Sequence, residues 1–382
     1  MRRVGRLWPE LTGFSNLLEA ARAAAAGKRH RPDVAAYLLN LEPNLIRLRA
    51  QLLDGSYMPG AYRTFEIREP KPRLISAAPF PDRVVHHALT RILEPVFEKR
   101  FSPRSFACRK GFGVHGALRV ARAACRRYPY ALKCDIRKYF ASIDHDILKG
   151  KLARAVKCRD TLALAGRIID GSNPQEATLF YFPGDDLFTP LERARGIPLG
   201  NQTSQFFANV CLDSLDQFIT RQLRPAAYAR YVDDFVLFGD SKDELRLMRD
   251  RIAGQLEADR LQLHEGKSRV YRCSEGLTFL GWRLFPHKAR LVRANVVRFS
   301  RKLAHLQEDF AAGRIAWDTV RQSVQAWISH ASFGDTVVLR RRMLNRFAFV
   351  SRGVPSKGGA GRLVQQQHEE PPRGLSQQQQ AG

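Results

Sequence analysis

Two adjacent carboxylates, Asp233 and Asp234, interrupt a stretch of apolar and aromatic residues. The preceding segment reads AYARYV and the following one reads FVLF, which predicts two β-strands joined by a turn that carries both carboxylates. Burying two like charges beside such strands costs free energy unless a cation neutralises them. Because aspartate is also common in surface turns, a solvated turn is the alternative. The β-branched and aromatic flanks favour a hairpin of the core, and therefore a metal site.

A third carboxylate, Asp135, stands at the end of a short apolar strand predicted over residues 130–136. If this strand and the hairpin are neighbours in one sheet, Asp135 and Asp233 can hold two divalent cations. Such ions lie about 3.5–4 Å apart and bind the attacking and leaving oxygens of a phosphoryl transfer. Carboxylate oxygens suit Mg²⁺, with Mn²⁺ as a second option. The sequence has no His and Cys cluster that would indicate another metal.

The elements around these carboxylates are predicted from hydrophobic periodicity. An amphipathic helix is expected over residues 203–221, because apolar residues recur there at intervals of three and four. Alternation within residues 59–81 predicts a hairpin, and residues 170–195 are interpreted as a loop with a small hairpin. The segment GLTFLGWRLF predicts a closing pair of strands. Further helices are expected near residues 14–27, 33–53, 82–100, 242–258 and 295–350.

The composition indicates a large and strongly basic protein. The chain has 382 residues, of which 44% are hydrophobic, so it can form two or three packed subdomains. Its formal net charge is +26. A surface this basic repels itself unless an acidic polymer is bound, and nucleic acid is the usual one. A generally Arg-rich composition without a specific partner is the alternative.

Cysteine usage and the termini predict a cytoplasmic location. The six cysteines form no C-x-x-C pair and lie in apolar stretches, which is typical of reduced core residues. The N-terminus lacks the apolar region of a signal peptide, and no apolar run is long enough to span a membrane. Residues 351–382 are rich in Gln, Gly and Pro and are predicted to be disordered.

Seven segments, taken in order, resemble the reverse transcriptases. They are KPRLISAAPFPDRVVHHAL (71–89), SFACRKGFGVHGAL (105–118), DIRKYFASIDH (135–145), GIPLGNQTSQFFANV (196–210), YVDD (231–234), LHEGKSR (263–269) and FLGW (279–282). The resemblance implies an α+β right-hand polymerase fold of fingers, palm and thumb, with an antiparallel palm sheet covered by helices. It also implies an N-terminal helical extension (1–60), fingers and palm (61–290), a basic helical thumb (291–350) and the tail (351–382).

The resemblance also implies roles for single residues of the palm. The metal site would contain Asp135, Ile136, Asp233 and Asp234, and the three aspartates would be catalytic. Lys267 resembles the palm lysine proposed to protonate the leaving pyrophosphate. The expected enzyme is an RNA-directed DNA polymerase that uses two Mg²⁺ ions.

Further resemblances concern the nucleotide and the nucleic acid. Phe140 resembles the aromatic gate that excludes a ribose 2′-OH and so selects dNTPs, although an ordinary core aromatic is the alternative. Lys71 and Arg73 stand where the fingers of reverse transcriptases present cations to the triphosphate. The alternative is that one of the two side chains is exposed to solvent and does not contact the nucleotide. Trp282 resembles a primer-grip residue, with packing as an equally good interpretation. A basic thumb helix that follows a phosphate backbone is indicated by Arg340, Arg341 and Arg342.

The dNTP-binding motif departs from the usual reverse-transcriptase pattern. Most members have Gln before its Gly and Pro at its end, whereas here Leu199 precedes Gly200 and Gln205 replaces Pro. This pattern resembles the polymerases of diversity-generating retroelements, which copy a template-repeat RNA into cDNA with frequent errors at adenine. Loss of one neutral hydrogen bond lowers selectivity by roughly three- to twelve-fold. A neutral substitution is the alternative.

The implied partners are a template RNA, a cDNA or DNA primer, dNTPs and a small basic accessory protein. Three alternatives remain: a stand-alone bacterial reverse transcriptase with another role such as phage defence, an inactive RNA-binding scaffold, and an RNA-dependent RNA polymerase. The intact aspartates argue against the scaffold, and Phe140 argues against the RNA polymerase. The palm also resembles group II intron proteins, but no large maturase or nuclease domain is expected after the thumb.

Overall fold

The computed structural model describes residues 3–67, 72–172, 176 and 178–349. The chain divides into two compact units, Met1–His287 and Lys288–Gly382. Among the described residues, no helix combines the length and the apolar character needed to cross a bilayer. The Gln-rich tail, whose disorder was expected from its composition, lies outside the described residues.

The first unit contains most of the helices and strands. Its helices are α1 (Trp8–Leu11), α2 (Phe14–Ala25), α3 (Pro32–Leu39), α4 (Leu41–Leu53), α5 (Phe80–Glu98), α6 (Val114–Arg127), α7 (Tyr139–Ser142), α8 (His145–Ala153), α9 (Arg159–Asp170), α10 (Thr189–Glu192), α11 (Gln202–Phe218) and α12 (Lys242–Ala258). Its strands are β1 (Arg63–Ile67), β2 (Arg73–Ala77), β3 (Tyr130–Asp135), β4 (Ala227–Tyr231), β5 (Asp234–Gly239), β6 (Arg269–Arg272), β7 (Leu277–Phe279) and β8 (Trp282–Leu284). The second unit contains β9 (Ala289–Leu291), α13 (Arg293–Ala311), α14 (Trp317–Ala331) and α15 (Val337–Asn345).

A four-stranded antiparallel sheet forms the centre of the first unit, with strand order β4-β5-β3-β6. Helix α6 packs against β4 and β5, and helix α12 packs against β3, β5 and β6. Residues 235–239 of β5 are all buried, which explains the unbroken apolar run in that strand. The expected fold class, α+β with an antiparallel palm sheet covered by helices, is therefore confirmed.

Helix α11 joins this sheet to the rest of the first unit. The predicted amphipathic helix is confirmed, and a π-helical turn over Ile219–Leu223 extends it. Its apolar stripe packs against α5 and α8. Helices α2 and α5 also pack together, so the first sixty residues belong to the same compact unit as the palm.

Two predicted elements differ in the structure. The single helix expected over residues 33–53 is divided at Asn40, whose φ of −115° and ψ of 43° end α3 before α4 begins. Residues 178–188 contain no strand, so the small hairpin expected there is wrong for the described part of that segment. The hairpin expected within residues 59–81 is confirmed, because β1 pairs with β2 in antiparallel register.

Candidate active site

Asp135 and Asp234 lie opposite each other on two neighbouring strands. Asp135 is the last residue of β3, Asp234 is the first residue of β5, and the antiparallel register pairs the two directly. Asp233 precedes Asp234 in the two-residue turn that joins β4 to β5. The expectation that these strands are neighbours is confirmed. The three carboxyl groups therefore belong to one end of the sheet, although they come from distant parts of the chain.

The turn that carries Asp233 has an unusual backbone conformation. Val232 has a φ of 58°, in the left-handed region that β-branched residues rarely adopt. Such a conformation costs about 1–3 kcal/mol and persists only where the surrounding structure holds it. We call residues 231–234 the catalytic turn, after the role expected for its two aspartates. It is a strained segment that the surrounding residues must hold in place.

Two lysines form ion pairs with the carboxylates of this site. Lys267 Nζ lies 2.9 Å from Asp135 Oδ1, and Lys133 Nζ lies 3.5 Å from Asp234 Oδ2. Lys267, which was expected to belong to this site, thus lies against Asp135. The sequence analysis missed Lys133, although a residue two positions before Asp135 in a strand shares its face of the sheet. Two of the three carboxylates, those of Asp135 and Asp234, therefore have cationic partners.

Asp234 has a strongly raised pKa. Burial is the largest cause, and the negative charges of Asp135 and Asp233 raise the pKa further, whereas the positive charge of Lys133 lowers it. The net result is a pKa of about 7. Asp234 Oδ1 is buried and has no hydrogen-bond partner among the described residues. A buried carboxylate oxygen without a partner is costly. A cation at this oxygen would replace the missing interaction.

The donor set of the site fits a hard divalent cation, because carboxylate oxygens are the ligands that such ions prefer. Among the described residues, no three His, Cys, Asp or Glu side chains are already arranged together as metal ligands. Two of the carboxylates are instead shared with Lys133 and Lys267. The Ile136 side chain is apolar and buried, so this residue has only its main-chain oxygen to offer.

The raised pKa of Asp234 predicts a pH-dependent stability of the metal-free protein. The folded state holds the proton up to about pH 7, whereas an ordinary aspartate releases it near 3.8. The free energy of unfolding is therefore expected to fall as the pH rises between these values. Thermal melting in EDTA at pH 5 and pH 8 measures this, with Asp234→Asn as the uncharged control. Wild type should lose more stability than the variant, and equal losses would contradict the assignment.

Two of the predicted nucleotide-site residues, Phe140 and Leu199, lie on connected segments. Phe140, in α7, is half-buried, and its main-chain oxygen accepts a hydrogen bond of 2.9 Å from the amide of Ile197. The oxygen of Leu199 accepts a hydrogen bond of 3.3 Å from the amide of Ser76 in β2. The segment from Ile197 to Leu199 therefore links Phe140 to the β1–β2 hairpin.

Gly200 lies at a position where both the backbone conformation and the lack of space favour glycine. Its φ is +110°, and a Cβ atom there would lie 3.0 Å from Ile75 Cγ2. Gln205 is exposed in the first part of α11. Lys71 lies outside the described residues, and of Arg73 the structure describes only the backbone, which pairs with Ile67. The expected contact of Lys71 and Arg73 with the triphosphate therefore stays a prediction.

The predicted nucleic-acid contacts divide into a buried and an exposed group. The Trp282 side chain is completely buried, so it has no surface on which a primer could lie, and the expected contact with nucleic acid is corrected to core packing. Arg341 and Arg342 are exposed on α15 of the second unit, whereas Arg340 is half-buried. Only the two exposed arginines are fully accessible to a phosphate backbone.

Comparison with known proteins identifies the family. Residues 67–284, more than half of the chain, match the family described as reverse transcriptase (RNA-dependent DNA polymerase). Protein YkfC of Escherichia coli is 26% identical over 341 residues, covering 77% of this chain and 87% of YkfC. Nuclear intron maturase 2 of Arabidopsis thaliana is 27% identical over 47% of this chain and 31% of the maturase. The group II intron-encoded protein LtrA of Lactococcus lactis is 24% identical over 47% of this chain and 28% of its own length.

The chain thus spans most of YkfC but only about a third of the two intron proteins. A solved structure of apo telomerase from Candida tropicalis, truncated from its C-terminal domain, aligns with a TM-score of 0.45 at 14% identity, over 61% of this chain and 55% of that chain. The matched region contains the whole palm sheet and the three aspartates. The chain therefore belongs to the reverse transcriptase family and is an RNA-directed DNA polymerase, an enzyme that uses an RNA template, a DNA primer and dNTPs.

Proposed function

We propose that this reverse transcriptase copies a template-repeat RNA into cDNA with frequent errors at adenine, in the service of a diversity-generating retroelement (mutagenic retrohoming). The observation that carries the proposal is Leu199, which stands where reverse transcriptases usually have Gln. Its backbone is held by Ser76 of the fingers hairpin, so this position is fixed relative to β2. A leucine side chain cannot hydrogen-bond an incoming nucleotide, and discrimination between nucleotides falls as a result.

The chemistry proposed for the palm rests on its three carboxylates. Asp135 and Asp233 would be the principal ligands of two divalent metal ions, Mg²⁺ or Mn²⁺, and Asp234 would assist them. When bound, such ions stabilise the charge on the attacking and leaving oxygens. Lys267 lies against Asp135 and is proposed to move from this carboxylate to the leaving pyrophosphate, where its ammonium group donates a proton.

The proposed nucleotide site involves Phe140, Gly200, Gln205 and the fingers cations. The ring of Phe140 excludes a ribose 2′-OH, and Gly200 leaves room for the close approach of Ile75 in β2. Gln205 is exposed near the N-terminus of α11 and is available for a polar contact. Lys71 and Arg73 are proposed to stabilise the charge of the triphosphate. These residues bind and orient the dNTP, while the palm carboxylates serve the transfer itself.

The second unit is proposed to act as the thumb. Arg341 and Arg342 are exposed on α15 and suit a phosphate backbone, which binds basic helices without regard to sequence and in a salt-sensitive way. A small basic accessory protein is the proposed protein partner, as in the retroelement family that the motif resembles.

Replacing Leu199 by Gln is expected to lower the error frequency opposite template adenines by roughly three- to twelve-fold, because one hydrogen bond to the nucleotide is restored. The test is primer extension on an RNA template with Mg²⁺ and dNTPs, followed by sequencing of the cDNA. Wild type should give errors concentrated at adenines.

Leu191→Gln is the matched control, because Leu191 is 66% exposed and lies in the segment before the motif. It should leave the error frequency unchanged. Errors spread evenly over all four template bases in wild type would keep the polymerase activity and remove the diversity-generating role. A stand-alone reverse transcriptase with another duty, such as phage defence, would then be the function to pursue.

A further inference from the structure

Arg230 is a completely buried arginine in β4, next to the catalytic turn. Its Nε and Nη2 atoms donate to the two carboxylate oxygens of Asp216, at 2.8 and 2.6 Å. Asp216 lies in α11 and is also completely buried. Tyr228 donates a third hydrogen bond to this carboxylate, at 2.7 Å. The arginine is thus held by a bidentate ion pair that ties the sheet to α11.

The remaining donors of Arg230 contact other elements. Nη1 donates to the main-chain oxygen of Val232 at 2.9 Å and to Asn209 Oδ1 at 3.3 Å. Nη2 also donates to Ser105 Oγ at 2.9 Å. All three guanidinium nitrogens are therefore hydrogen-bonded, and the side chain has its position fixed from α11 and from the segment before α6.

The main chain on both sides of the arginine is fixed as well. The amide of Arg230 donates to the oxygen of Arg104, and its own oxygen accepts from the amide of Phe106, both at 2.9 Å. Asn209 in turn donates to the oxygen of Ala107 at 2.8 Å. Strand β4 is thus anchored to residues 104–107 up to the residue before the catalytic turn.

The contact with Val232 is the one that bears on the site. Val232 has a φ of 58°, which its β-branched side chain disfavours. A charged donor at its main-chain oxygen makes a stronger hydrogen bond than a neutral donor. The next residue is Asp233. A bond that fixes the carbonyl of Val232 also fixes the peptide from which the Asp233 carboxylate extends.

We propose that Arg230 is a positioning residue, which holds the catalytic turn in its strained conformation so that Asp233 keeps its place at the end of the sheet that carries Asp135 and Asp234. The Arg230–Asp216 pair directs the guanidinium towards Val232. The inference deepens the proposed function and rests on the role of Asp233 in it. A purely structural role is the competing explanation. The two differ because apolar residues often replace a buried ion pair without loss of stability, whereas they cannot donate to the oxygen of Val232.

The test compares two buried ion pairs. The first double variant is Arg230→Met with Asp216→Leu. The control is Lys151→Met with Asp259→Leu, because Lys151 Nζ lies 2.6 Å from Asp259 Oδ2, and this pair is likewise buried and connects α8 to the end of α12. Thermal melting first defines a temperature at which both double variants and wild type are folded. Primer extension at that temperature then gives kcat and KM for dNTP.

The Arg230 pair variant is expected to lose about 10²-fold in kcat, the effect of a misplacement of about 1 Å at a reacting group, with KM for dNTP changed by less than about threefold. The control pair should keep kcat within about threefold of wild type. Equal kcat in the two double variants would overturn the proposal and leave the Arg230 pair with a structural role alone.

A second measurement does not depend on catalysis. Amide hydrogen exchange of residues 231–234, without substrate or metal, should be faster than in wild type for the Arg230 pair variant and unchanged for the control. Arg230→Lys provides a milder change, because a lysine keeps the charge opposite Asp216 but has only one nitrogen to donate. It should show the same faster exchange and a lower kcat. Exchange as slow as in wild type in Arg230→Lys would also overturn the proposal.

A failure of this inference can be distinguished from a failure of the proposed function. If Asp233→Asn still synthesises DNA at the wild-type rate, the role of the turn in catalysis is wrong whatever Arg230 does. If Asp233→Asn is inactive while the Arg230 pair variant has normal kcat and normal exchange, only the positioning role is wrong.

Discussion

Replacing Asp233 by Asn is expected to slow DNA synthesis by on the order of a thousandfold, or about 4 kcal/mol of transition-state stabilisation. Asparagine keeps the size of the side chain and removes the negative charge that a divalent cation requires. The variant should fold, because Asp233 is a turn residue at the end of the sheet. The rate of primer extension in a single turnover, measured on an RNA template with saturating dNTP, checks this expectation.

Asp240→Asn is the matched control for this experiment. Asp240 is exposed and directly follows β5, at the opposite end of that strand from Asp234, so it lies away from the site. This variant should retain the wild-type rate. Near-normal synthesis by Asp233→Asn, in either Mg²⁺ or Mn²⁺, would remove Asp233 from the proposed metal site.

The second large effect is expected at Phe140. Replacing it by Ala should raise the use of ribonucleotides relative to dNTPs by roughly 10- to 200-fold, the range for steric exclusion worth about 1–3 kcal/mol. The ring of Phe140 is half-buried and lies at 5.5 Å from the ring of Tyr139, in an edge-to-face arrangement. Tyr139 is itself held by a hydrogen bond from its hydroxyl to the oxygen of Ala208. The ring therefore has a fixed neighbour that limits where it can turn.

The ratio of kcat/KM for one ribonucleotide and its matching dNTP measures this selectivity. Phe188→Ala serves as the control, because Phe188 is 61% exposed in the segment before the dNTP-binding motif. The control should leave the ratio unchanged. An unchanged ratio in Phe140→Ala as well would favour the alternative that Phe140 is an ordinary core aromatic.

The carboxylates of the site could be predicted from the sequence because each stands at the end of a run of apolar strand residues. Burying a charge beside apolar strand residues costs free energy, so a carboxylate at such a position indicates a functional site. The expectation that Asp135 and Asp233 lie close together needed only the assumption that the two strands are neighbours, and the register of β3 and β5 confirms that assumption.

The contacts of Lys133 and Arg230 could not be predicted from the sequence, because they depend on strand register and on the packing of a distant helix. Lys133 in β3 forms an ion pair with Asp234 in the neighbouring strand β5. Arg230 in β4 forms an ion pair with Asp216 in helix α11. Trp282 shows the opposite difficulty. An aromatic residue in a short strand suits either a surface or a core, and only the packing of β8 decides that it is buried.

The order of strands in the palm sheet has a consequence for how the enzyme folds during its synthesis on the ribosome. Strand β3 pairs with β5 and β6, both of which follow it only after helices α7 to α11. Pairing over such a long separation is slow, since the loop must close before its contacts form. A nascent chain that ends before β5 contains Asp135 but neither sheet partner of β3. Such a chain exposes two unpaired strand edges that invite aggregation. The sheet that carries the aspartates is therefore completed late in synthesis, once Arg272 has left the exit tunnel.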